Sequence, residues 1–99
     1  MRVLLETAAR SEMWDAAQFY DDCASGLGIE FLDAVDEAVS RIKMNPQGGS
    51  PAGGRFRRVY LSRFPYALVY SLERDIAFVA AVMHLKRHPD YWRERGSER

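Results

Sequence analysis

Residues 84–95, HLKRHPDYWRER, gather two histidines, one lysine, three arginines and a Tyr-Trp pair into twelve positions. They follow directly on IAFVAAVM (76–83), a run that is apolar on both faces and reads as a strand inside a sheet. His84 and His88 are four apart, a spacing that on a helix would offer both rings to one metal ion. Pro89 and the preceding strand exclude a helix through both, and no third ligand has a convincing spacing. No metal or other cofactor is expected. The glycines at 48, 49, 53 and 54 neither follow a strand nor lead into a helix, which argues against a phosphate-cradling loop. Cys23 reads as a small buried thiol of a helix rather than a nucleophile. Asp21 and Asp22 read as the solvated end of the same helix.

What remains is a basic set interleaved with aromatics. Arg55, Arg57, Arg58, Arg63, Lys86, Arg87, Arg93 and Arg95 alternate with Tyr60, Tyr66, Tyr91 and Trp92. Arginines beside aromatic rings grip phosphate and stack on bases. They equally grip an acidic peptide with aromatic anchors. The rings also suit a third role, covering the end of a small sheet. Composition does not separate these readings.

The elements that position these groups follow from periodicity. RVLLE (2–6) reads as a short strand. Thr7 suits the N-cap of a helix starting at Ala8, with Met13, Ala16, Ala17, Tyr20 and Ala24 at helical spacing. Gly26 is a natural stop, and GLG (26–28) a tight connection. Phe31, Leu32, Val35, Ala38, Val39 and Ile42 form the apolar stripe of a second helix, which ends at Asn45-Pro46. QGGSPAGG (47–54) reads as a mobile loop. RFRRVYL (55–61) and YALVYSL (66–72) read as strands, the second joined to 76–85 by the turn ERD (73–75). Pro89 is expected to start a short C-terminal helix. A helical hairpin must cover an apolar surface, and the one available is a face of an antiparallel sheet. The expected fold is therefore α+β and two-layered: strand, helical hairpin, β-meander and short terminal helix.

The 99 residues fit one domain, 1–99. No apolar run reaches the length of a membrane span, and the N-terminal apolar stretch is too short for a secretory signal. One cysteine suits a reducing cytoplasm. The formal charge is zero but unevenly placed. Residues 1–50 carry four Lys/Arg and nine Asp/Glu, net −5, and residues 51–99 carry ten and five, net +5. A basic C-terminal half suits an acidic partner.

Three stretches in this order resemble a known family. They are EMWDAAQFYDDCASGLGIEFLDAV (12–35), RRVYLSRFPYALVYSLE (57–73) and VMHLKRHPDYWRER (82–95). Their most specific pieces are GLGxEFL, RFPYxxxY and HxxRxPxYW. The chain resembles, over roughly residues 6–95, the ParE branch of the RelE/ParE toxin superfamily, often described as plasmid stabilisation proteins. The family fold, β-α-α followed by an antiparallel meander, agrees with the order derived from periodicity. The resemblance implies the toxin of a type II toxin–antitoxin pair, with a cognate antitoxin encoded beside it as partner.

The superfamily divides by target: RelE-like members cut messenger RNA on the ribosome, and ParE-like members inhibit DNA gyrase. The RelE pattern wants an arginine after the strand tyrosine, where this chain has Ala67 after Tyr66. Its two alternate lysines fall on Arg58 and Tyr60. Arg87 matches a retained RelE arginine, and the terminal RelE tyrosine falls on Arg93. Cutting RNA without metal needs a base, an acid and phosphate stabilisation together. The resemblance therefore implies a protein-binding toxin, with gyrase as target and no catalytic residues. A RelE-type ribonuclease and a non-toxic binding module of the same fold are the competing readings. Contact candidates are Arg57, Arg58, Arg63, His84, Arg87, Tyr91, Trp92 and Arg93. An acidic antitoxin segment is expected in an apolar groove beside the helices with a basic rim supplied by Arg57, Arg58 and Arg63.

Overall fold

The computed structural model describes residues 1–87 and 90–95. In chain order these form β1 (Arg2–Leu5), α1 (Thr7–Cys23), α2 (Leu27–Met44), β2 (Ser50–Pro51), β3 (Phe56–Tyr60), β4 (Tyr66–Glu73) and β5 (Ile76–His84). The five strands make one sheet in the order β1-β5-β4-β3-β2. The β2–β5 part is antiparallel throughout. β1 instead lies parallel to β5, with Arg2 opposite Ile76 and Leu5 opposite Val79. The sheet is thus mixed, not purely antiparallel: the helical hairpin is the crossover that returns the chain beside its first strand. No helix among the described residues is long and apolar enough to cross a membrane.

The hairpin packs on one face of the sheet. The stripe Phe31, Val35, Ala38 and Ile42 meets Val59, Leu68, Tyr70, Val79 and Val82 in the larger core. α1 begins one residue earlier than expected, at Thr7, after Glu6, and no side chain caps it. Gly26 turns the chain at φ 89°, the left-handed region that glycine adopts without strain. At Gly28 the two helices touch: a Cβ there would lie 2.6 Å from the Ala17 carbonyl oxygen. The Asp21 carboxylate accepts from the backbone N–H of Gly26 at 3.0 Å and of Gly28 at 3.2 Å. It is the clasp of the hairpin, not merely a solvated end. Cys23 is exposed, contrary to the expected buried thiol, because it falls in the last turn of α1 away from the sheet.

The loop read as mobile is held. Tyr70, fully buried, donates its hydroxyl to the Pro46 carbonyl at 2.7 Å and accepts from the Gly49 N–H at 3.2 Å. The Arg57 guanidinium donates to the carbonyls of Gln47 and Gly49, both at 2.9 Å. Residues 50–51 then pair with Arg58 and Arg57 as β2, too short for periodicity to reveal. The β4–β5 turn is shorter than ERD, with Glu73 still paired to Ile76 and Arg74 in the left-handed region at φ 59°.

The far face of the sheet has its own core, made by Phe56, Ala67, Val69, Ala80, Ala81 and Met83 and covered by Trp92. A bulge in β5 creates it. Val69 pairs with Ala81 but Tyr70 with Val79, so Ala80 is the extra residue. Both alanines therefore serve the same side of the sheet. The segment over them is a run of turns, not the expected short helix: Arg93 N–H bonds to the Asp90 carbonyl and Arg95 N–H to that of Trp92. His88 and Pro89, the second histidine and the expected helix start, lie outside the described residues.

Candidate functional site at the end of the last strand

The site forms where β5 ends, because a strand paired on both sides at its start is a stiff mount. Past Val79 the β1 edge of β5 has no strand beside it, since β1 ends at Leu5. The open backbone there is met by side chains. Glu12 of α1 accepts the Val82 N–H at 3.0 Å. Arg95 donates to the Ala80 carbonyl at 3.1 Å and to the same Glu12 oxygen at 2.9 Å. One carboxylate thus joins α1, β5 and the C-terminal segment. Its pair is only 18% and 26% exposed, so it is less screened than a surface ion pair.

Tyr91 sits inside this junction. The Arg87 guanidinium lies 4.0 Å from its ring centroid and that of Arg95 4.9 Å. The Tyr91 hydroxyl is buried near Glu12 without closing a hydrogen bond of good geometry. Burial first, and then the Glu12 carboxylate, push its pKa far above the ordinary tyrosine value; Arg95 and Arg87 oppose this more weakly. The half-buried His84 packs edge-on against Tyr66 at 5.0 Å. Its Nδ1 accepts the Lys86 N–H at 3.0 Å. That bond leaves Nε2 to carry the proton of the neutral ring. Beside them opens a cleft of about 210 Å³ lined by Glu12, Asp15, Phe19, Tyr66, His84 and Arg87. Arg87 is exposed and has no ion pair among the described residues.

The other candidates go elsewhere. Arg57 is bound to the 47–49 loop. Arg63, at φ 71°, pairs with Glu30 of α2 at 2.8 Å. Arg93 pairs with Asp90 at 2.7 Å and packs over Gly53. Arg58 is half-buried on the far face, its Nε without a partner. Trp92 is 0% exposed and belongs to the far core, so in this state it touches no partner. His84, Arg87 and Tyr91 converge; Arg57, Arg58 and Arg63 do not form one rim. Beside the helices the rim is carboxylate-rich instead of basic. Sequence reasoning missed Glu12, whose only signal is a charged residue one turn before Ala16 on the buried side of α1.

Two tests probe this junction. Glu12→Gln keeps an acceptor for Val82 but loses the charge that holds Arg95. It is expected to cost roughly 1.5–3 kcal/mol, read by chemical denaturation. The second is alkaline. Tyr20, Tyr66, Tyr70 and Tyr91 all have raised pKa values, with burial the main cause in each. The unfolded chain releases these protons at about pH 10 and the folded chain only above it. Stability is therefore intact below about pH 10 and falls as pH rises further. Tyr91→Phe is expected to flatten that fall in a series of thermal melts.

No protein-family model matches the chain, and no curated protein matches it. Among solved structures it is similar to a chain of the chromosomal ParDE TA system from P. aeruginosa. That likeness has a TM-score of 0.66 at 15% identity and covers 87% of this chain and 97% of the other. At that identity it shows a shared α+β fold.

Proposed function

We propose that this chain is the toxin of a type II toxin–antitoxin pair and acts by gripping a protein target, DNA gyrase being the target its ParE-like motifs imply. The observation that carries the reading is Arg87: an exposed cation with no ionic partner, stacked on Tyr91 beside an aromatic-walled cleft. A cation held flat on a ring at the end of a stiff strand loses little freedom on binding, which is what a protein-contact anchor needs. The fold shared with a ParDE chain supports the toxin reading, and with it a cognate antitoxin as partner and the cytoplasm as compartment.

The RNA-cutting alternative meets a steric obstacle. Ala67, where the RelE pattern wants its arginine, is 0% exposed and packed with Phe56, Met83 and Trp92. That position has lost the space for a phosphate as well as the charge. Purified protein is expected to leave ribosome-bound messenger intact. Ala67→Arg is expected to gain no cleavage and to lose roughly 1–3 kcal/mol through overpacking alone.

The deciding experiment is inducible expression with and without the neighbouring reading frame. Filamentation with a DNA-damage response, relieved by the neighbour, is the expected result. Rapid loss of translation would overturn the gyrase reading in favour of messenger cleavage. Normal growth would reduce the chain to a binding module.

A further inference from the structure

The helical layer has a second surface that the β5 site does not use. On the outside of the hairpin Trp14 is 55% exposed and Ile29 66%. They flank a groove of about 230 Å³ whose floor is Ala17, Gln18, Asp21 and Gly28. The groove is preformed, since the Asp21 clasp and the close approach at Gly28 fix the two helices against each other. Two large apolar side chains facing water across a rigid groove mark a contact surface.

Charge says what covers it. α1 carries Arg10 against Glu12, Asp15, Asp21 and Asp22, net −3, and α2 carries Arg41 and Lys43 against Glu30, Asp33, Asp36 and Glu37, net −2. Glu12, Glu30 and Glu37 are paired with Arg95, Arg63 and Arg41. Asp21, Asp22, Asp33 and Asp36 have no ion pair among the described residues. Asp33 and Asp36 follow Ile29 by four and seven positions, so all three share one helix face, and all three are exposed. The apolar pair is therefore framed by unneutralised carboxylates.

We infer that the outer face of the α1–α2 hairpin docks a basic amphipathic helix of a partner protein, with apolar anchors seated between Trp14 and Ile29 and Lys/Arg flanks facing the aspartates. A groove between two antiparallel helices is the shape into which a third helix packs. A second copy is the poorer occupant. It would have to offer its basic sheet side to this acidic face, a head-to-tail contact that does not close into a symmetric pair.

The probe is an 18-residue helix-forming peptide with leucines on one face and lysines on the other, compared with its glutamate counterpart. Trp14 reports binding by its emission, because Trp92 is buried in the far core. The lysine peptide is expected to shift Trp14 emission to the blue, and its affinity to fall about tenfold in Ile29→Ser. Asp33→Asn/Asp36→Asn is expected to weaken binding and its salt dependence. Both changes are on exposed positions, so unaltered melting is expected and checks that the fold survives. No binding, equal binding of the glutamate peptide, or unchanged affinity in Ile29→Ser would each overturn the inference. So would concentration-dependent dimerisation that Ile29→Ser abolishes, which would make the face a self-interface. None of these outcomes bears on growth inhibition, so they are distinguishable from failure of the toxin reading.

Discussion

Trp92→Ala is expected to lose about 3–5 kcal/mol of stability, the cost of removing a large aromatic from a packed core. Trp92 is the largest fully buried side chain, with Phe56 edge-on at 4.7 Å. No second helical layer stands behind the far face, so nothing could collapse into the space its ring leaves. Ala67, Val69, Ala81 and Met83 would then meet water. Marginal domains have only about 5–15 kcal/mol in all. At about 4–8 °C per kcal/mol, the melting temperature should drop by at least about 12 °C. The indole N–H has no hydrogen-bond partner, so Trp92→Phe forfeits no polar contact and should recover most of the loss. A Trp92→Ala protein that melts like the wild type would show that the C-terminal segment is not part of the core.

That sensitivity was half legible in the sequence. A Tyr-Trp pair after an apolar strand suits either a contact surface or a lid, and periodicity cannot tell which ring turns inward. The bulge at Ala80 decides it, and a run as uniformly apolar as IAFVAAVM conceals a bulge. The helical hairpin and the long strands were legible because a stripe of period 3.6 or 2 must face a core. The parallel pairing of β1 was not, since four residues carry no register. Nor was the tethered 46–49 loop, whose order comes from Tyr70 and Arg57, more than twenty and about ten positions away in sequence. At the site, His84, Arg87 and Tyr91 were found from their types alone. Glu12 was not, because it acts on backbone groups seventy residues distant. The expected basic rim failed because linear charge placed the arginines in one half of the chain. The fold then set Arg57, Arg58 and Arg63 on different surfaces, two of them tied to Gln47 and Glu30.

Arg87→Ala is expected to abolish growth inhibition while leaving the fold intact. Its guanidinium is exposed and its one described contact is the Tyr91 ring at 4.0 Å, worth about 0.5–1 kcal/mol at an exposed site. Melting should therefore shift by only a few degrees, far less than in Trp92→Ala. Arg87→Lys separates charge from shape. Lysine keeps the cation but not the planar fork that lies flat on a ring and pairs with a carboxylate through two bonds. If the target is gripped by that fork, Arg87→Lys should resemble Arg87→Ala; if charge alone matters, it should stay toxic. Tyr91→Phe keeps the ring under Arg87 and should retain toxicity, because the hydroxyl points to Glu12 and away from the cleft's mouth. Full toxicity in a folded Arg87→Ala protein would remove the end of β5 as the working surface. The arginine would then be one more solvated side chain on the rim of the sheet.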